Sequence, residues 1–143
     1  MARSREQIEA ALAAESTEPW PAQVVAALRA LFASILVDPL VARATIVEGP
    51  TVGPAIIERY EGLATALSPL LARGRDAVPA AADLPPTLED TLAGGVLWSA
   101  YQRLIVGSIE ELPELLPETV AFVLRPYLGE AEAARWARSS MSS

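Results

Sequence analysis

The chain has 143 residues, of which 52% are apolar, and a formal net charge of −7. All 11 cations are arginine, and Cys, His, Lys and Asn are absent. These absences exclude disulfides, thiolate or imidazole metal sites, and catalysis by a Cys, a Ser–His pair or a Schiff-base Lys. The negative charge argues against this chain alone gripping a phosphate backbone. A chain of this length suits one domain and needs no covalent staple. Carboxylates, Tyr, Ser, Thr and Arg are what remains for chemistry, and no two carboxylates stand at a telling spacing, so neither an enzymatic activity nor a cofactor is expected. The N-terminus lacks the apolar core of a secretory signal, and Gln102–Arg103 interrupt the greasiest stretch, so a cytoplasmic protein with no membrane span is expected.

In chain order, Ser4-x-x-Gln7 fits a capping box opening a thin helix to about Glu15. After the Pro19/Pro21 break a long helix is predicted to Val37, with Val24, Val25, Leu28, Leu31, Phe32, Ile35 and Leu36 on a wide stripe and Arg29 outside it. Asp38-Pro39 opens a short helix to Val47. Gly49-Pro50 and Gly53-Pro54 punctuate the chain, and a third long helix runs to Leu71 on the seam Ile56, Tyr60, Leu63, Leu67 and Leu70. Residues 73–86, with Gly74, Pro79, Pro85 and Pro86, read as a mobile loop. Thr87-x-x-Asp90 caps a helix to Val106, stopped by Gly107, and Ser108-x-x-Glu111 caps the next, which runs to Leu128 through Pro113, Pro117 and Pro126. Gly129 closes it, and a last helix spans Glu130–Arg138. No segment alternates with period two, so the fold class is all-α, a bundle of about six or seven helices.

The stretch Leu92–Ile109, most of it in the helix ending at Val106, is apolar on nearly every side, where a surface helix shows one stripe. Such a helix needs a second cover beyond its own core: a ligand, a partner subunit, or both.

The Val37–Gly49 segment VDPLVARATIVEG, the seam helix and the block GGVLWSAYQRLIVGSIEELPELLPETVAFVLRPYLGEAEA (Gly94–Ala133) come in a familiar order. Together they resemble the C-terminal ligand-sensing and dimerisation domain of TetR/AcrR-type transcriptional regulators. The resemblance spans nearly the whole chain and lies in element order and the Arg125-Pro126-Tyr127-Leu128-Gly129 ending. It implies a sensor domain whose last two long helices form a dimerising hairpin, pairing with the same two of a second copy as a four-helix bundle. Nothing in the chain corresponds to the family's N-terminal helix-turn-helix, so DNA contact is expected only through a domain outside these 143 residues. On the implied twofold interface the candidates are Leu92, Val96, Ser99 and Arg103 of the first arm, and Leu116, Thr119, Val120, Val123 and Tyr127 of the second.

The long helices should enclose a pocket for a hydrophobic or aromatic effector, lined by Phe32, Ile35, Tyr60, Leu63, Leu67, Trp98 and Tyr101. Ser34, Thr45, Glu48 and Gln102 are the polar groups available to orient it. The acids Glu110, Glu111, Glu114 and Glu118 are read as helix-start charges held by the macrodipole rather than as a metal site. The rival reading is a dimeric interaction module with no ligand.

Overall fold

Pro19 and Pro21 fix where the first described helix begins. Pro21 sits in its first turn, where a missing N–H costs nothing, and the Pro19 carbonyl accepts from Ala22 and Gln23 at 3.0 and 3.2 Å. In the computed structural model, residues 18–37, 40, 67–106 and 108–141 are described. Over them the chain forms α1 (Trp20–Val37), α2 (Gly74–Ala77), α3 (Leu88–Val106), α4 (Leu112–Leu128) and α5 (Glu130–Ser139), with 3-10 turns at Pro79–Ala81 and Ile109–Glu111. Residues 67–72 are also helical, and no strand occurs among the described residues. The all-α class expected from the absence of alternation is what these residues form. The helices expected at Ser4–Glu15, at Pro39–Val47 and over most of Pro54–Leu71 lie outside the described residues, as do Gly107, Tyr60 and Leu63.

The core gathers on α1 and α4. Along α1 the residues Val24, Leu28, Leu31 and Ile35 are buried, and Phe32 and Val25 widen the stripe, while Arg29 stays outside as its place in the pattern required. On α4 the buried row is Leu112, Leu116, Thr119, Val120, Val123, Leu124 and Tyr127, in steps of three and four that keep one face inward. Each fully buried Leu or Val contributes roughly 1.5–3 kcal/mol. α4 packs on α1, α3 and α5 and on both 3-10 turns, so it is the axis of the described fold.

Pro117 and Pro126 lie inside α4 without ending it. Each leaves a carbonyl four residues back without its helical donor, on Pro113 and Phe122. Both of those residues are exposed, so water can serve the orphaned oxygens. Gly129 stops α4 as expected: its φ is +85°, a region open to glycine, and its N–H donates to the Arg125 carbonyl at 3.0 Å. α5 then folds back with Ala133 and Ala137 buried.

Two local expectations are corrected. The Ser108 carbonyl accepts from Glu111 N–H at 3.0 Å and closes a 3-10 turn; α4 starts only at Leu112, with no side-chain cap on it. Pro113 explains the later start, because it is at home in a first turn. Residues 73–86 are not a featureless loop either. They hold α2 and the Pro79–Ala81 turn, gathered by one side chain, Arg75.

Candidate functional site

Three features of the described residues invite a function: a polar knot at the start of α3, an apolar groove between α1, α4 and the end of α5, and an uncovered face on α3.

The knot centres on Arg75. Its Nε and Nη2 meet the two oxygens of Glu89 at 2.6 and 3.1 Å, and its remaining N–H groups reach the carbonyls of Leu84 at 2.7 Å and Pro85 at 2.5 Å. This fork ties α2, the following turn and the first turn of α3 together. The Arg75 hydrogen bond, helped by its charge, holds the buried Glu89 carboxyl below the usual Glu range against the cost of burial. Nearby, the Tyr127 hydroxyl is buried with no hydrogen-bond partner among the described residues. Burial, reinforced by the Glu89 charge, pushes its pKa up to about 12. Trp20 closes the other side: its ring meets Tyr127 edge-on at 5.0 Å, and its indole N–H donates to the Leu70 carbonyl at 2.8 Å.

These shifts dictate the pH dependence of stability. Glu89 titrates lower in the folded than in the unfolded chain. Its contribution is therefore complete above the unfolded value of about 4.3 and is lost as pH falls through the lower folded value. Tyr127 titrates higher when folded, so stability falls as pH rises from the unfolded value of about 10. Urea melts across pH should show a plateau falling at both ends. Glu89→Gln should remove part of the acid slope and, by taking away one cause of the Tyr127 shift, soften the alkaline one, whose main cause is burial; an unchanged acid slope would mean that the Arg75–Glu89 pair is not formed in solution.

The groove has a volume of about 560 Å³. Phe32, Ala33 and Leu36 of α1, Leu116 with Pro113 and Pro117 of α4, and Met141 beyond α5 make it mostly apolar. Arg29, Glu114 and Ser140 are its polar lining. The volume falls within the range of small-molecule sites, and the mix of apolar walls with few polar groups is typical of them.

The third feature is the outward side of α3. Trp98 is 57% exposed, and its ring stacks on half-buried Tyr101 at 5.1 Å and 14°. Ile105 and Val106 continue the stripe, and Phe122 of α4, 44% exposed, joins it from the side. The Phe122 ring lies over Gly95, where a Cβ would stand 2.9 Å from its Cε2 and Cζ. A glycine is what lets the two helices approach there.

The expected pocket residues are thus divided. Phe32 lines the groove, while Ile35 and Leu67 are sealed in the core. Trp98 faces solvent instead of a pocket, and Tyr101, half-buried, packs against the edge of the core. The expected interface residues are also turned round: Leu92, Val96, Leu116, Thr119, Val120, Val123 and Tyr127 are buried within the single chain, and Leu116 borders the groove. Such residues have no area left for a partner in this arrangement. The hydroxyls of Ser99 and Thr119 bond back to the carbonyls of Gly95 and Leu115 in their own helices, at 3.1 and 2.9 Å. Arg103 faces Glu111 with Nε 3.2 Å from Oε2, an ion pair without a directed hydrogen bond. The buried side of α3 is the set Ala93, Val96, Leu97 and Ala100, and the Trp98 indole is left outside.

Ser34, a candidate orienting group, is buried and donates to the Leu31 carbonyl at 2.8 Å. Thr45 and Glu48 lie outside the described residues. Among the described residues no three metal-ligating side chains converge, and no helix is long and apolar enough to cross a membrane. Sequence reasoning missed Arg75 and Glu89 as a unit. An Arg and a Glu fourteen residues apart across three prolines carry no periodic signal.

In comparisons with known proteins, no family model, no curated protein and no solved structure matches the chain.

Proposed function

We propose that this chain is a ligand-sensing, self-pairing helical domain of the kind that TetR/AcrR-type regulators carry beside their DNA-binding part. It binds a hydrophobic small molecule in the groove between α1, α4 and α5, and pairs with a second copy through the exposed side of α3 and α4. The groove is the observation that supports this reading most: about 560 Å³ of mostly apolar space that the chain's own described side chains leave unfilled. The pairing face adds to it. Phe122 is flanked on the exposed side of α4 by Glu118 and Arg125, so an antiparallel twofold contact sets each Glu118 against the partner's Arg. Trp98, Ile105, Val106 and Phe122 together expose on the order of 500 Å² per subunit, enough for the centre of an interface of about 800 Å² a side.

One helix serves both places. The first half of α4 borders the groove through Pro113, Leu116 and Pro117, and its second half presents Phe122 to the partner. A ligand that prefers one position of α4 shifts the geometry of the pair, and a DNA-binding domain attached outside this chain would read that shift. The test is thermal denaturation with a panel of neutral hydrophobic compounds. A binder raises the melting temperature with concentration, by mass action, and loses its effect in Ala33→Phe, which fills the groove from its exposed wall. If no compound shifts the wild type while it still elutes as a dimer, the second reading holds: a pairing module without a ligand, favoured by the uncovered aromatic stripe on α3.

A further inference from the structure

Among the described residues that line the groove, the one cation is Arg29. Arg29 projects from the outer side of α1, and its Nη2 donates to the Ser140 carbonyl at 2.7 Å. That bond anchors the guanidinium to the residue that ends α5, where Ser140 is itself buried and its hydroxyl donates to the Ala137 carbonyl at 2.6 Å. A guanidinium has five N–H donors in a planar fork. Among the described residues only one of them is used, and no carboxylate pairs with Arg29. The other charge on the groove, Glu114, is placed differently. It sits in the first turn of α4, where the helix macrodipole already stabilises a negative charge. The site therefore holds an anchored cation with free donors and an anion whose charge is already partly compensated.

Resting on the proposed ligand-sensing role of this groove, we infer that its ligand is an amphiphile with one apolar chain and one carboxylate, whose head is held by the free edge of Arg29 while the chain lies between Phe32, Leu36, Leu116, Pro117 and Met141. The Arg–carboxylate contact is charge-assisted and forked, so it discriminates strongly against a neutral head. The groove's volume of about 560 Å³, in the range of small-molecule sites, leaves room for a single alkyl chain.

The experiment compares decanoate, decanol and decylamine, all below micelle formation, by isothermal titration against the full chain and Arg29→Gln. Arg29 is exposed, so the substitution leaves the core in place, and circular dichroism of the variant checks that. Decanoate should bind the wild type roughly tenfold or more tighter than decanol, the scale of a charge-assisted hydrogen bond, and Arg29→Gln should abolish that preference while decanol binding stays. Arg29→Lys should restore part of it, since the charge returns without the fork. Equal binding of decanoate and decanol, or tighter binding of decylamine, overturns the head-group assignment and leaves the apolar groove standing as a site. If none of the three binds, the groove itself is not a ligand site and both readings fall.

Discussion

Val123→Asp should unfold the chain, whereas its neighbour Phe122→Asp should leave it folded and split the pair. Val123 has no exposed surface and sits in the inward row of α4 among Val120, Leu124 and Tyr127. A carboxylate placed there must ionise in the core or stay protonated at a cost, with no cation to meet it. A loss of about 4 kcal/mol or more is expected, a large part of the stability of a domain this size. Phe122, the residue before it and about 100° round the helix, is 44% exposed. Replacing it costs the half of its surface that rests on Gly95, about 1 kcal/mol. The same substitution sets two negative charges facing each other across a twofold contact. Urea melts should separate the two variants by several kcal/mol, and light scattering should show monomeric Phe122→Asp beside a dimeric wild type. A folded Val123→Asp would overturn the inward placement of this row. A Phe122→Asp protein that pairs as the wild type does would remove the proposed face.

Trp20→Ala should cost about 3–5 kcal/mol, the range for emptying a buried aromatic site. Trp20 opens α1 and holds three separate parts of the chain. Its N–H serves the Leu70 carbonyl, its edge meets Tyr127 of α4, and its ring covers Gly74 at the start of α2. Trp20→Phe should recover most of the apolar contact but leave the Leu70 carbonyl without its donor, so a residual loss of about 1–3 kcal/mol is expected. Gly74 tests the same junction from the other side. A Cβ there would lie 2.5 Å from Cη2 and 2.9 Å from Cε2 of the Trp20 ring, so Gly74→Ala should cost about 1–3 kcal/mol by overpacking. Equilibrium unfolding of the three variants measures these values. A Trp20→Ala loss under about 1 kcal/mol would mean that the junction of α1 with residues 70–74 does not carry the load assigned to it.

The junction also shows why the segment after Leu71 was misread from the sequence. Gly74, Pro79, Pro85 and Pro86 are punctuation to a local reading, and local reading ends there. What orders the segment is non-local: the Arg75 fork onto Glu89 and the carbonyls of Leu84 and Pro85, and the Trp20 ring over Gly74. No spacing rule links Trp20 with Gly74 or Arg75 with Glu89.

The long helices were legible because their causes are local. Pro21 in a first turn, the three-and-four stepping of α1 and α4, and the positive-φ Gly129 after Leu128 each act within a few residues, and the helices begin and end where those signals stand. The sequence also showed that Leu92–Ile109 is apolar on nearly every side, and among the described residues Trp98, Ile105 and Val106 leave one side of α3 exposed. Which side that is only the tertiary structure decided. A helix apolar all round has no moment to orient it, so its rotation is set by fit: Ala93, Val96, Leu97 and Ala100 are buried, and Trp98 goes outside, stacked on half-buried Tyr101. The groove was hidden for the same reason. Its walls come from residues 29–36, 113–117 and 140–141, three stretches that meet only when α5 folds back at Gly129 and brings the Ser140 carbonyl to Arg29.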